Sequence, residues 1–187
     1  MIDVPPTQDP TPELRRAPSL VLINTGDGKG KSTAAMGVMV RAVARGWKVA
    51  VIQFLKSGDW ATGEQKTAER LGVDWWAIGD GFTWDSDDLD ESAAIAQEAW
   101  KKATEVITSG EYSLVVLDEV TYPLTWGWVD IEDALQVVES RPEHVNLVLT
   151  GRDAPSRLIE IADTVTEMVN IKHAFQQGIR AKKGIDF

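Results

Sequence analysis

The sequence contains no cysteine among its 187 residues. This absence excludes disulfide bonds, thiolate metal sites, iron–sulfur clusters and a cysteine nucleophile. Any redox step must therefore use an external electron donor or a bound cofactor. Histidine is also scarce, since only His144 and His173 occur, and neither belongs to a recognisable catalytic dyad.

Basic residues are fewer than acidic ones, and long apolar runs are absent. The formal net charge is −10, and so acidic a surface repels nucleic acid and anionic lipid on average. No run of about 20 apolar residues occurs, so we expect no membrane span. The start of the chain lacks the apolar centre of a secretion signal. These absences favour a cytoplasmic protein that binds neither nucleic acid nor membrane.

What is present fits one globular domain behind a short tail. Hydrophobic residues make up 43% of the chain, which is enough for a substantial core. Residues 1–18 are rich in proline and polar side chains, so we expect a flexible N-terminal tail there and a single domain over residues 19–187. Eight tryptophans are a high number. Core packing is the favoured reason, and a platform for a large ring-shaped ligand is the alternative.

Short apolar runs alternate with longer amphipathic ones from Ser19 onward. The predicted strands are Leu20–Asn24, Lys48–Leu55, Val73–Ile78, Tyr112–Glu119, Asn146–Gly151 and Thr164–Ile171. The predicted helices are Lys31–Gly46, Gly63–Gly72, Leu89–Ser109, Asp130–Ser140 and Pro155–Ala162, with a loop at Gly79–Asp88. Strands that are apolar on both faces indicate a mostly parallel sheet covered by helices on both sides, hence a three-layer α/β fold.

A glycine-rich bend, TGDGKGKST (Thr25–Thr33), follows the first predicted strand. Its Gly30-Lys31-Ser32 matches the end of the phosphate-loop pattern G-x-x-x-x-G-K-[ST], although Thr25 stands where that pattern has its first glycine. The strand before the bend and the helix after it are the context that the pattern requires. A glycine-rich turn that binds nothing is the disfavoured alternative.

The residue types of this bend suit a phosphate chain. Glycines let backbone N–H groups turn inward around an anion, and the following helix adds its N-terminal dipole. Lys31 supplies a point charge, and the Ser32 hydroxyl suits Mg²⁺. We therefore predict phosphate binding along the whole bend, at Thr25, Gly26, Asp27, Gly28, Lys29, Gly30, Lys31, Ser32 and Thr33.

A second acidic signal ends a later strand. The run LVVLDE terminates in Asp118 and Glu119, which resembles a Walker B element. In open parallel sheets ligands gather at the carboxyl ends of strands, so Ser32, Asp118 and Glu119 are the predicted Mg²⁺ ligands. Two exposed acids at a strand end are the alternative. The two elements together indicate a nucleoside triphosphate, but kinases, hydrolases and transferases all share them.

The chain resembles the P-loop ATP:corrinoid adenosyltransferase family. The stretches that carry the resemblance are TGDGKGKSTAAMG, VIQFLKSG, GFTWD, VVLDEVTY, VLTGR, ADTVTEM, KHAF and GID, in that order between Leu20 and Phe187. The resemblance implies a P-loop NTPase-like fold with RecA-like strand ordering. It also implies that cobalt(I) of a reduced corrinoid attacks the 5′ carbon of ATP, which releases triphosphate, in adenosylcobalamin synthesis or salvage.

The resemblance assigns roles to particular residues. Lys31, the loop amides and a metal ion on Ser32 would stabilise the departing triphosphate, and Glu119 would be a further catalytic residue of this site. Phe82 and Trp84 would displace the lower axial ligand of cobalt(II), which makes it easier to reduce; that they only pin the loop to the core is the alternative. Other positions near the substrates are Arg41, Gln53, Glu64, Arg152, Lys172 and His173, for which a surface or helix-face role is equally open.

Some features depart from the family or stay open. Asp27 stands where asparagine is usual, Ser32 replaces threonine, and only the short segment TPELRRAPS is available to cover the site. By resemblance we expect ATP, Mg²⁺ and a corrinoid as ligands, a flavoprotein-type reductase as partner, and a homodimer. The rival functions are a P-loop phosphohydrolase or kinase and a non-catalytic nucleotide- or corrinoid-binding module.

Overall fold

The computed structural model describes residues 14–56, 62–79 and 89–186. The strands are β1 (Val21–Thr25), β2 (Val49–Phe54), β3 (Asp74–Ile78), β4 (Leu114–Asp118), β5 (Asn146–Thr150) and β6 (Thr164–Glu167). The helices are α1 (Lys31–Ala44), α2 (Gly63–Arg70), α3 (Leu89–Thr108), α4 (Thr121–Thr125), α5 (Ile131–Glu139) and α6 (Ser156–Ile161), followed by a short 3₁₀ helix at Ala174–Gln177.

The six strands form one sheet in the order β3-β2-β4-β5-β1-β6, and every pair is parallel. Strand β5 separates β1, which leads into the glycine-rich bend, from β4, which ends in Asp118. This confirms the predicted α/β fold with a P-loop NTPase-like sheet. Because all strands run the same way, their carboxyl ends lie along one edge, and the glycine-rich bend lies at that edge.

Apolar side chains fill both faces of the sheet. The central strands β2 and β4 are buried along their whole length, as their runs of valine, isoleucine and leucine predict. One core cluster packs α3 and α5 against the sheet around Phe54 and Leu117, and the other packs α1 around Met39 and Val116. Helices therefore cover the sheet on both sides, which gives the three layers.

One predicted boundary and one omitted helix need correction. The last strand ends at Glu167, not at Ile171, because the amide of Met168 bonds the Thr25 carbonyl and its own carbonyl turns to the Gly28 amide. Helix α4 was not predicted, since it has only five residues and contains a proline.

The predicted loop at 79–88 lies, apart from Gly79, outside the described residues. In the described part of the chain, no helix is long and apolar enough to span a membrane.

Candidate functional site

The glycine-rich bend wraps the start of α1 at the carboxyl edge of the sheet. Gly26 has φ +91° and Gly30 has φ +120°, which are conformations that side chains disfavour. Gly28 packs on the backbone of Met168, whose carbonyl accepts a 2.6 Å hydrogen bond from the Gly28 amide. A Cβ atom at Gly28 would lie 2.6 Å from that same oxygen. The glycines are therefore required by the backbone path, and β6 supports the bend from one side.

Lys31 turns back over the bend from the first turn of α1. Its Nζ donates hydrogen bonds to the carbonyl oxygens of Gly26, at 2.7 Å, and of Gly28, at 2.8 Å. Burial and the nearby charge of Arg152 lower the pKa of Lys31, while the carboxylates of the site oppose that shift. The ammonium group thus sits centrally in the bend, where an incoming phosphate oxygen would replace carbonyl partners with a charged one.

A cavity of about 540 Å³ opens beside the bend. Its lining includes Lys29, Lys31 and Arg152, together with Asn170 and His173. The structure thus brings three predicted cationic residues to one opening in a chain whose net charge is −10. A local concentration of positive charge of this kind attracts a polyphosphate despite the acidic surface elsewhere.

Asp118 is fully buried at the end of β4 and is held by two neighbouring strands. The Thr150 hydroxyl donates to its Oδ1 at 2.7 Å, and the Gln53 side-chain amide donates to its Oδ2 at 2.9 Å. Gln53 Oε1 is also buried but has no hydrogen-bond partner. A buried polar atom without a partner marks a place for a water molecule or an ion.

Glu119 follows Asp118 with a backbone conformation that is rare for a residue with a side chain, at φ +64°. Its amide donates to the Thr150 hydroxyl at 2.9 Å, which fixes this conformation. The carboxylate lies 3.7 Å from Lys56 Nζ. Burial raises the pKa of Glu119, and Lys56 counteracts that rise. The strained backbone turns the Glu119 side chain away from the direction that a continued strand would give it.

Several predicted residues lie away from this cluster or outside the described residues. Arg41 is exposed in the last turn of α1, about 15 Å along the helix from Lys31 at 1.5 Å per residue. Glu64 lies in the first turn of α2 and lines a separate cavity of about 430 Å³ with Met36. Phe82 and Trp84 fall within residues 80–88, which the structure does not describe.

The remaining predicted positions include both buried and exposed side chains. Thr25 is buried, and its hydroxyl accepts a hydrogen bond from the Ala154 amide at 3.2 Å, which ties β1 to the segment after β5. Ser32 is half-buried in the first turn of α1, whereas Thr33 and Lys172 are exposed. Asp27 is exposed and lies 3.6 Å from Arg152. The acidic substitution noted in the bend therefore faces a cation.

An aromatic cluster lies beyond β4 near the same edge. The Trp126 ring is 5.3 Å from Tyr122 and 4.7 Å from Trp128, measured between centroids. Trp126 is 40% exposed, whereas Trp128 packs against the main core. Trp100, by contrast, is buried and donates to Asp133. Packing therefore accounts for most of this cluster, and the exposed ring of Trp126 is the exception.

Sequence reasoning missed three residues that shape the site. Thr150 organises both acids, Met168 supports the bend, and Asp186 lies 2.8 Å from Lys29. Thr150 ends β5 at the edge where ligands gather, so its position was a usable signal. Met168 and Asp186 contact the bend across more than 130 residues of sequence, and no local pattern announces such contacts.

Taken together, the geometry suits binding and stabilisation of a polyphosphate. Lys31 and Arg152 supply positive potential at the cavity, and Ser32, Asp118 and Glu119 carry hard oxygen donors. Neither histidine forms a catalytic dyad here: His144 Nε2 contacts the Gly110 carbonyl, and His173 Nδ1 accepts from the Phe175 amide. Both histidines are therefore engaged by backbone atoms in the described part of the chain.

Comparisons with known proteins identify what the chain is similar to. The family model described as ATP:corrinoid adenosyltransferase BtuR/CobO/CobP matches residues 17–187. A protein of Sinorhizobium sp named corrinoid adenosyltransferase is 43% identical over 172 residues, which cover 90% of this chain and 80% of that protein. A protein of the same name from Pseudomonas aeruginosa is 41% identical, over 94% of this chain and 87% of that protein. Another, from Escherichia coli K12, is 38% identical, over 90% of this chain and 85% of that protein.

Proposed function

The chain belongs to the ATP:corrinoid adenosyltransferase family and is a transferase, and we propose that its described site positions ATP for attack by the cobalt(I) of a reduced corrinoid. The electron pair of cobalt(I) forms a bond to the 5′ carbon of the ribose. The bond between that carbon and the triphosphate oxygen breaks, and triphosphate leaves with the bonding electrons. The observation that carries the proposal is the phosphate bend with Lys31 at its centre, opening on a cationic cavity.

Charge stabilisation is the main work that this chain's residues perform. The leaving triphosphate gains negative charge as the bond breaks. Groups that bind this charge more strongly in the transition state than in bound ATP therefore accelerate the step. Lys31 is the proposed phosphate ligand, and its place in the cavity lining together with Arg152 supports that role. Cobalt(I) is itself a strong nucleophile, so the reaction needs no general base.

The residues around Asp118 fit a magnesium ion. In the described ranges no group of three or more histidine, cysteine or acidic side chains could hold a metal. Magnesium sites of nucleotide-binding proteins commonly use one or two protein oxygens together with the substrate phosphates. Ser32, Asp118 and Glu119 would hold the ion, and the buried Gln53 Oε1 beside Asp118, which has no hydrogen-bond partner, would be a further oxygen donor. When bound, Mg²⁺ neutralises phosphate charge.

Reduction of the corrinoid requires help from outside the chain. Cysteine is absent, so electrons come from a separate donor, for which a flavoprotein-type reductase is proposed by resemblance. Phe82 and Trp84 are proposed to displace the lower ligand of cobalt(II). Trp84→Ala should then impair adenosylation from cobalt(II) far more than from chemically supplied cobalt(I). Equal losses of activity in the two assays would contradict this role of Trp84.

The proposed function is tested by mixing the protein with ATP, Mg²⁺ and chemically reduced cobalamin. The corrinoid spectrum should change to that of the adenosylated form, and the Lys31→Met variant should be severely slowed. Size-exclusion chromatography with light scattering would test the homodimer proposed by resemblance. An unchanged corrinoid spectrum, with ATP cleaved to ADP, would instead favour a kinase or phosphohydrolase.

A further inference from the structure

Residues 182–186 form a closed turn that docks beside the phosphate bend. The amides of Ile185 and Asp186 both donate to the Lys182 carbonyl, at 3.0 Å and 2.8 Å. In return, the Lys182 amide donates to the Asp186 carboxylate at 2.7 Å. Ile185 lines the 430 Å³ cavity together with Met36 of α1. The turn therefore lies across this cavity from α1, with Ile185 72% exposed.

This turn reaches into the bend through one ion pair. Lys29 Nζ lies 2.8 Å from Asp186 Oδ1, while the other carboxylate oxygen is engaged by the Lys182 amide. The Lys182 hydrogen bond and the Lys29 contact hold the pKa of Asp186 below its usual value. Asp186 therefore stays charged at neutral pH and faces a cation of the phosphate cavity.

The other cations of the cavity also have internal partners. Arg152 lies 3.6 Å from Asp27, and Lys31 is bonded to carbonyl oxygens of the bend. Lys29 has the shortest contact with a full negative charge among these three cations. A phosphate oxygen that approaches Lys29 must therefore compete with a carboxylate that is already in hydrogen-bond contact.

We propose that Asp186 is a positioning residue that competes with the phosphate chain for Lys29 and so weakens the hold of the site on triphosphate. The proposal rests on the proposed function, in which intact triphosphate is the leaving product. A site with several cations binds such a polyanion tightly, which slows its release. The Asp186 carboxylate offsets part of that attraction, and it forms its ion pair with Lys29 again when the product leaves.

The test measures binding of inorganic triphosphate by titration calorimetry. Asp186→Asn should tighten the dissociation constant about two- to fivefold, as expected for loss of a partly exposed ion pair. Asp186→Glu keeps the charge and should restore the wild-type value. Glu111→Gln is the matched control, because it breaks a 2.7 Å ion pair with Lys48 at the opposite edge of the sheet and should leave binding unchanged.

A second background shows whether Asp186 acts through Lys29. In Lys29→Ala, the further change Asp186→Asn should have no effect on the dissociation constant. Weaker or unchanged binding in Asp186→Asn alone, or tightening that persists without Lys29, would overturn the proposal. Adenosyl transfer by the wild type is assayed separately. A wild type that binds triphosphate as predicted but transfers no adenosyl group would refute the proposed function and not this competition.

Discussion

Replacing Thr150 with valine should destabilise the protein although the two side chains have nearly the same shape. The Thr150 hydroxyl is buried, donates to Asp118 at 2.7 Å and accepts from the Glu119 amide at 2.9 Å. Valine removes both bonds. It leaves a buried carboxylate with one partner fewer and a backbone N–H without its acceptor.

The cost follows from those two losses. A hydrogen bond to a charged group contributes about 1.5–3 kcal/mol, and an unsatisfied buried donor costs about 1–3 kcal/mol. Because the two losses share one side chain and are not fully additive, we expect Thr150→Val to lower the free energy of unfolding by about 2–5 kcal/mol. That is a large share of the roughly 5–15 kcal/mol that stabilises a typical domain.

The assay is urea unfolding at pH 7, followed by tryptophan fluorescence and circular dichroism. Thr108→Val is the matched control, since it makes the same chemical change at an exposed hydroxyl that donates to the Thr104 carbonyl at 2.7 Å. The control should stay within about 0.5 kcal/mol of the wild type. If Thr150→Val also stays within that range, the hydroxyl does not organise the two acids as described.

The remaining predictions concern the bend, the strained acid and the tyrosines. Lys31→Met should slow adenosyl transfer about 10²–10³-fold, the loss typical of one transition-state donor, in a cobalt(I) assay with saturating ATP; a change below tenfold would refute its role. Glu119→Gly should be about 1 kcal/mol more stable than Glu119→Ala in urea unfolding, because φ is +64° there, and equal stabilities would contradict the strain. Burial raises the pKa of both Tyr112 and Tyr122, and Tyr112 also bonds Asp74. Because the unfolded state loses these protons at lower pH than the native state, stability should fall as pH rises above 10, and absorbance at 295 nm should show the native tyrosines titrating at higher pH than those of the urea-unfolded chain.

The sequence predicted the architecture well because its strongest signals are local. Apolar runs such as those of β2 and β4 identify buried parallel strands, and Gly30 followed by Lys31 marks the start of α1. The order of the strands came from the resemblance and not from any pattern in one strand. β6 was less clear, since this edge strand is exposed throughout and its end is fixed by contacts with the bend.

The candidate site was predictable only in part. The phosphate bend and the two acids lie in recognisable patterns, and the structure brings Lys31, Arg152 and Asp118 to one edge as the patterns suggest. The role of Thr150 depends on the register between β4 and β5, and that of Asp186 on a turn 157 residues beyond Lys29. Such long-range contacts are set by packing, which one sequence does not encode in a short motif.

The fate of the three phosphates tests the central claim most directly. A mixture of protein, ATP, Mg²⁺ and reduced cobalamin, followed by phosphorus NMR together with the corrinoid spectrum, measures both products in one sample. The account predicts one intact triphosphate for each corrinoid adenosylated, and no reaction when cobalt stays oxidised. Formation of ADP or free phosphate in step with the corrinoid product, or triphosphate without any adenosylated corrinoid, would contradict it.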